Sequence, residues 1–154
     1  MQDDQGFSIS ALSSVMLAGG DAEEGHKARY TIGDLAREFG VTLRALRFYE
    51  DKNLLEPERD GLSRIYSRRD RARLKLILMG KRVGFSLVEI KEMLDLYDVR
   101  DGQLKQLQVA ERRFRDQLAN LERQRSDIDQ AIDELGRTIE TVSRMIRERA
   151  GRAA

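Results

Sequence analysis

From Tyr30 onward, apolar residues recur at spacings that alternate between three and four, and polar residues fill the positions between them. Ile32, Leu35, Ala36 and Phe39 follow this rule and predict a helix from Thr31 to Gly40. Thr31 and Asp34 form a capping-box-like start, and Gly40 supplies the left-handed residue that ends the helix. A second short helix is predicted over Thr42–Asp51, with Thr42 as its N-cap and Val41, Leu46 and Phe48 as its apolar anchors. Two short helices across a glycine turn make a helix-turn-helix. Pro57, Asp60 and Gly61 then mark turns, and Ile65 and Tyr66 favour a strand, so a hairpin is expected between about 55 and 66 as a wing. Ser67 and Asp70 repeat the capping pattern and open a helix that runs to about Val83 over Leu74, Ile77 and Leu78, with Gly84 beyond it. Ser86 and Glu89 cap another helix, carrying Leu87, Ile90, Met93, Leu94 and Tyr97 and ending near Asp98. Phe85, Ile90 and Leu94 are expected in the core.

After a break at Asp101-Gly102 the pattern narrows to a seam. Leu104, Leu107, Phe114, Leu118, Leu121, Ile128, Ile132, Leu135, Ile139, Val142 and Ile146 keep a heptad spacing that only Glu111 and Arg125 interrupt. Such a helix needs a partner along its stripe, and the simplest partner is a second copy of the chain. Unbroken, it would extend ~65 Å at ~1.5 Å per residue. The alternative is a hairpin folded on itself at Gly136, a residue that costs roughly 1 kcal/mol inside a helix; no turn-rich segment supports that hinge. Glu111 and Arg125 lie two heptads apart. In an antiparallel pair each can face an opposite charge and fix the register; otherwise they sit at exposed ends or skip positions.

Composition sharpens this picture. Charged residues are 36% and aromatics 6%, too thin a core supply for one compact globule. The net charge of +1 hides an asymmetry: residues 27–91 hold 16 Lys and Arg against 9 Asp and Glu, whereas residues 1–26 hold five acids and no Lys or Arg. A local basic excess favours a polyanionic partner. The chain has no cysteine, which excludes disulfides and thiolate chemistry within it. No apolar run approaches the ~18 residues of a membrane span, and the start, with Asp3 and Asp4, lacks the basic region of a signal peptide. A soluble, cytoplasmic protein is expected, with a disordered tail over 1–28, a basic winged helix-turn-helix domain over 29–98 and a coiled-coil dimerisation helix over 101–149. The fold class is mainly α. An enzyme is disfavoured: there is no phosphate-binding glycine loop, no metal-ligand cluster and no nucleophile beside a base.

The second helix carries the candidate chemistry. Arg44 and Arg47 are three apart and share a face. Arginine can read guanine O6 and N7 through two hydrogen bonds, which makes Arg44 the candidate base contact against the plainer reading of a surface arginine. Thr31 and Thr42 cap helices whose N-termini favour anions, so each is a cap alone or a cap that also touches phosphate. Arg59 and Arg64 lie on the wing, placed to track a nucleic-acid backbone. Arg37 is a candidate on the polar side of the first helix, with simple solvation as the alternative. Arg68, Arg69, Arg71 and Arg73 form the densest basic run, by default a solvated face that can add nonspecific affinity.

These residues resemble the MerR family of bacterial transcription regulators. The resemblance rests on Tyr30-Thr31-Ile32-Gly33-Asp34-Leu35-Ala36, Arg47-Phe48-Tyr49-Glu50, Leu54-Leu55, Arg64-Ile65-Tyr66 and Gly84-Phe85-Ser86-Leu87-Val88-Glu89-Ile90, in order across about residues 29–97. It implies a winged helix-turn-helix followed by an antiparallel dimerisation helix. It also implies a homodimer that binds a dyad operator inside a promoter with an overlong spacer. Bending and untwisting of the double-stranded DNA would then realign the promoter for RNA polymerase in response to an effector. Arg47 and Tyr49 match family positions that contact the DNA backbone, with core packing as the alternative for Tyr49; Arg64 matches the wing arginine, and Tyr66 beside it joins the expected DNA-binding set. Family members that sense metals or oxidants use cysteines. This chain has none, and its one histidine, His26, lies in the tail, so neither metal nor cofactor is expected. At this length the large drug-binding domain of some members is not expected. The segment Arg68–Leu96 is similar to regulators of leucine, isovalerate or acyclic terpenoid breakdown, which would make an acyl-CoA a candidate effector. The rival readings are an architectural DNA binder without effector and a coiled-coil adaptor for another protein.

Overall fold

The computed structural model describes residues 29–97 and 103–153, so the expected tail and the Asp101-Gly102 break lie outside the described residues. The elements are β1 (Arg29–Thr31), α1 (Ile32–Phe39), α2 (Leu43–Asp51), β2 (Glu58–Asp60), β3 (Ser63–Ser67), α3 (Arg68–Arg82), α4 (Leu87–Tyr97) and α5 (Gln103–Arg152). The protein is thus mainly helical, with a helix-turn-helix, a wing and a long C-terminal helix. Among the described residues no helix is long and apolar enough to cross a membrane. The chain divides into two compact units, one through Ala110 and one from Glu111.

In the first unit the capping chemistry forms as the spacing predicts. Thr31 Oγ1 accepts from the Asp34 amide at 3.1 Å while Asp34 accepts from the Thr31 amide at 2.9 Å, and Ser67 with Asp70 repeats the exchange. Gly40 ends α1 at φ 63°, a left-handed conformation that glycine adopts without a Cβ clash. Asn53, at φ 57°, turns the chain out of α2, a conformation that asparagine tolerates better than most residues.

The hairpin expected between about 55 and 66 forms as β2 and β3, and β1 adds a third antiparallel strand to it, in the order β1-β3-β2. Tyr30 pairs with Tyr66 and Arg59 with Arg64 across it. Side chains alternate across a strand, so Arg64 and Tyr66 share one face of β3. That face is turned inward: Tyr66 is fully buried, and Arg64 reaches back to Glu50 of α2. Leu35, Leu46, Leu54, Leu55, Leu74, Ile77, Ile90 and Leu94 complete the core. Phe85 is buried as well.

Two expectations fail here. Phe48 does not anchor α2; it is 43% exposed, and Leu46 and Tyr49 take the buried side. The arginine run of α3 is only half a solvated face. Arg68 and Arg69 are exposed, but Arg71 and Arg73 are buried. Arg71 pairs with Glu38 and lies 5.9 Å from the Tyr30 ring and 5.8 Å from the Phe39 ring, while Arg73 Nε donates to the Leu54 carbonyl at 3.0 Å. A buried guanidinium is tolerable only with such partners. The α3–α4 contact depends on Gly80, since a Cβ there would fall 2.8 Å from Ile90 Cγ1 and 2.9 Å from its Cδ1.

The second unit is a single stretch of α5, which runs continuously through Gly136, so the folded-back hairpin does not form. Its seam is bare. Leu118, Ile128, Ile132, Leu135, Ile139 and Ile146 are each more than half exposed, and Leu121 and Val142 are exposed to a lesser degree. At the N-terminal end of α5, Leu104 and Leu107 are exposed, whereas Phe114 is half-buried. Glu111 is engaged along its own helix, accepting from Arg115 at 2.6 Å.

Candidate nucleic-acid interface

The helix that sequence singles out, α2, is built to show one face. Thr42 Oγ1 accepts from the Ala45 amide at 3.1 Å and closes the N-terminus. Leu46 and Tyr49 point into the core, leaving Leu43, Arg44, Arg47 and Phe48 on the exposed side. Among the described residues neither Arg44 nor Arg47 has an ion-pair partner, so both guanidiniums keep their full donor sets for an incoming acceptor. Phe48 lies one turn beyond Arg44, with the Lys52 ammonium 5.4 Å from its ring centre. It was expected inside, and nothing in its residue type separates an anchoring phenylalanine from an exposed one.

The remaining candidates divide by partner. Tyr49 is 2% exposed, and its hydroxyl accepts from Lys81 Nζ at 3.2 Å, which is the core-packing arrangement with the polar tip at the rim. Thr31 and Thr42 are exposed caps. Arg37 is exposed and pairs with Asp34 at 2.9 Å within its own helix. Tyr66 is a correction: it is fully buried and unreachable by a surface ligand. Its hydroxyl has no hydrogen-bond partner among the described residues; burial, then the nearby Glu50 charge, pushes the phenol up to about 12.

The wing arginines converge on one carboxylate. Glu50, in the last turn of α2, accepts from Arg59 Nη2 through Oε1 at 2.9 Å and from Arg64 Nε through Oε2 at 2.5 Å. The cross-strand pairing of Arg59 with Arg64 brings both guanidiniums to it. The Glu50 hydrogen bond holds Arg64 above the usual arginine pKa, so it carries its charge throughout the working range. Sequence inspection missed the role of Glu50: the residue stands in a quoted motif, but its partners lie 9 and 14 positions away in strands whose register is not visible in the sequence. Leu62, at the wing tip, is almost wholly exposed.

Comparison with known proteins agrees with this geometry. The family model described as "MerR HTH family regulatory protein" matches residues 30–96, and the one described as "MerR, DNA binding" matches residues 71–138. The chain is 35% identical over 127 residues to the nodulation protein NolA of Bradyrhizobium diazoefficiens, covering 77% of this chain and 53% of NolA. It therefore spans about half the length of that relative. With the regulator CueR of Salmonella typhi it shares 31% identity over 106 residues, 68% of this chain and 75% of CueR. The crystal structure of HiNmlR, a MerR family regulator lacking the sensor domain and bound to promoter DNA, superposes with a TM-score of 0.53 at 27% identity, over 68% of this chain and 79% of that one. With the helix-turn-helix, the wing and the long C-terminal helix in place, the chain belongs to the MerR family of helix-turn-helix regulators.

Proposed function

We propose that this chain is a homodimeric, sequence-specific regulator of transcription that binds a dyad in promoter DNA and acts on RNA polymerase through that DNA. The observation that carries the reading is the exposed face of α2, where Arg44 and Arg47 stand without an acidic partner among the described residues and next to an arginine-bearing wing. In this reading α2 enters the major groove. Arg44 reads a guanine edge, Arg47 donates to phosphate, and Phe48 offers its ring to a thymine methyl. Arg59 and Arg64 use the donors that Glu50 leaves over to follow the backbone. Thr31 and Thr42 present helix N-termini to phosphates, Arg37 contributes only long-range attraction, and the Tyr49 hydroxyl keeps its own proton for a phosphate at the rim. The bare α5 seam joins two copies. The regulator works in the cytoplasm and responds to a small effector, for which an acyl-CoA is the candidate that the likeness of Arg68–Leu96 supplies.

The test is selection of sites from a random duplex pool, followed by binding measured across a salt series. The expected result is a dyad consensus, an affinity that falls steeply with salt, and an Arg44→Ala variant whose preference at one symmetric base pair relaxes by about 1–3 kcal/mol. Binding without sequence preference would favour the architectural reading. Salt-independent binding would favour the adaptor. An Arg44→Ala variant that weakens all sequences equally would remove base reading from Arg44.

A further inference from the structure

We propose that Glu50 is a positioning residue for DNA selectivity: it holds the wing against α2, and its charge weakens the pull of two wing arginines on indiscriminate phosphates. The inference rests on the DNA-binding reading above and adds a role for a residue that does not itself face the DNA.

Glu50 is 19% exposed on its side chain, and each of its oxygens is taken by a different strand of the wing. One carboxylate therefore ties three elements together: α2, β2 and β3. It sits in the last turn of α2, where the negative end of the helix dipole disfavours an acid. Its own helix does not hold it there; the two guanidiniums do. A lone exposed ion pair contributes little, but this is a network in which Arg64 is only 23% exposed.

The geometry of the donors gives the tie its direction. Arg64 is engaged through Nε, which leaves both terminal nitrogens free of Glu50, a forked pair of the kind that matches phosphate. Arg59 is engaged through Nη2 alone. Glu50 thus orients the arginines and does not consume them. Because α2 also carries Arg44 and Arg47, the tie sets the distance between the base-reading face and the backbone contacts of the wing. Its negative charge also lowers the pull that two free guanidiniums would exert on any phosphate. Both effects favour the site at which wing and helix fit together over all others.

Glu50→Gln keeps the shape and removes the charge. The probes are a duplex taken from pool selection with the wild-type chain and a scrambled duplex of equal length. On the scrambled duplex the variant should bind about 3–10-fold more tightly, with a salt slope steeper by about 1 as a released arginine gains a phosphate. On the selected duplex the gain should be absent, so that selectivity falls by the same factor of about 3–10. In an Arg59→Gln/Arg64→Gln background the same change should leave selectivity unaltered. Arg64→Lys keeps the charge but loses the Nε donor and the fork, and should lower selectivity without the gain on scrambled DNA; this arm holds if Glu50→Gln fails to fold by circular dichroism. Unchanged selectivity in Glu50→Gln, or an equal effect in the double-arginine background, overturns the inference while leaving the DNA-binding reading intact. Failure of the wild-type chain to bind either duplex overturns both.

Discussion

Ile132→Glu is the most direct perturbation of the proposed dimer. Ile132 is 62% exposed on α5, midway along a stripe that also includes Leu118, Leu121, Ile128, Leu135, Ile139, Val142 and Ile146, all between 37% and 62% exposed. Complete burial of such a side chain yields about 1.5–3 kcal/mol, so the half that remains bare is worth roughly 1 kcal/mol each. A twofold pair buries every one of these side chains twice, which sums to roughly 16 kcal/mol. Association costs on the order of 4–15 kcal/mol, so the stripe leaves a net gain whose upper range corresponds to micromolar dimers or tighter. Glutamate at 132 removes roughly 2 kcal/mol of burial per pair and adds two carboxylates whose desolvation costs several kcal/mol each. The dissociation constant should rise by roughly a thousandfold or more. Sedimentation velocity over a concentration series reads this directly. The wild-type chain should run as a dimer and Ile132→Glu as a monomer, while the outward-facing Gln130→Glu stays dimeric. Circular dichroism should show the first unit still folded, and binding to a pool-selected dyad should be lost. A monomeric wild-type chain at micromolar concentration would refute the seam as a dimer interface. A dimeric Ile132→Glu would move the interface elsewhere.

Gly80→Ala should destabilise the first unit. The added Cβ meets Ile90 at 2.8 Å, an overpacking cost of about 1–3 kcal/mol, against a helix-propensity gain of about 1 kcal/mol. The urea midpoint should therefore fall, and Ile90→Ala should cost less in the Gly80→Ala background than alone; a raised midpoint would show that Ile90 yields freely. Tyr66 makes stability depend on pH at the alkaline end. Its phenol is held up to about 12 in the folded chain, above the ordinary value of 10.0, so its contribution is complete below pH 10 and is lost as pH rises through 12. The loss is at most about 3 kcal/mol. Tyr66→Phe should abolish this part of the alkaline destabilisation in urea unfolding at paired pH values, and identical pH curves for the two proteins would refute the assignment.

What sequence alone disclosed follows the range of each interaction. Three of the four Ser or Thr caps, Thr31, Ser67 and Ser86, pair with acids three residues away, and all three pairs form. The α2 face depends on helical spacing within nine residues, and Arg44 and Arg47 stand where that spacing puts them. Arg71 and Arg73 were misread because residue type says only that arginine prefers water. Their burial depends on Glu38 and on the Leu54 carbonyl, 33 and 19 positions away. Tyr66 was misread for a related reason: strand alternation shows that 64 and 66 share a face, but which face turns inward is decided by β1, a strand of three residues with too little pattern of its own to be seen. The same inward turn that buries Tyr66 takes Arg64 to Glu50.

The two surfaces that were legible, the α2 face and the α5 stripe, share a further property. Each carries groups that the fold leaves unsatisfied among the described residues: guanidiniums without carboxylates in one case, isoleucines and leucines without cover in the other. A pattern left unsatisfied by its own chain is visible in sequence because nothing distant competes to explain it. Wing position is the opposite case, satisfied wholly by long-range contacts. The proposed function therefore divides in the same way. Partner type, a polyanion at one surface and a second copy at the other, follows from local spacing. Selectivity follows from Glu50, whose role exists only once the strands are in register.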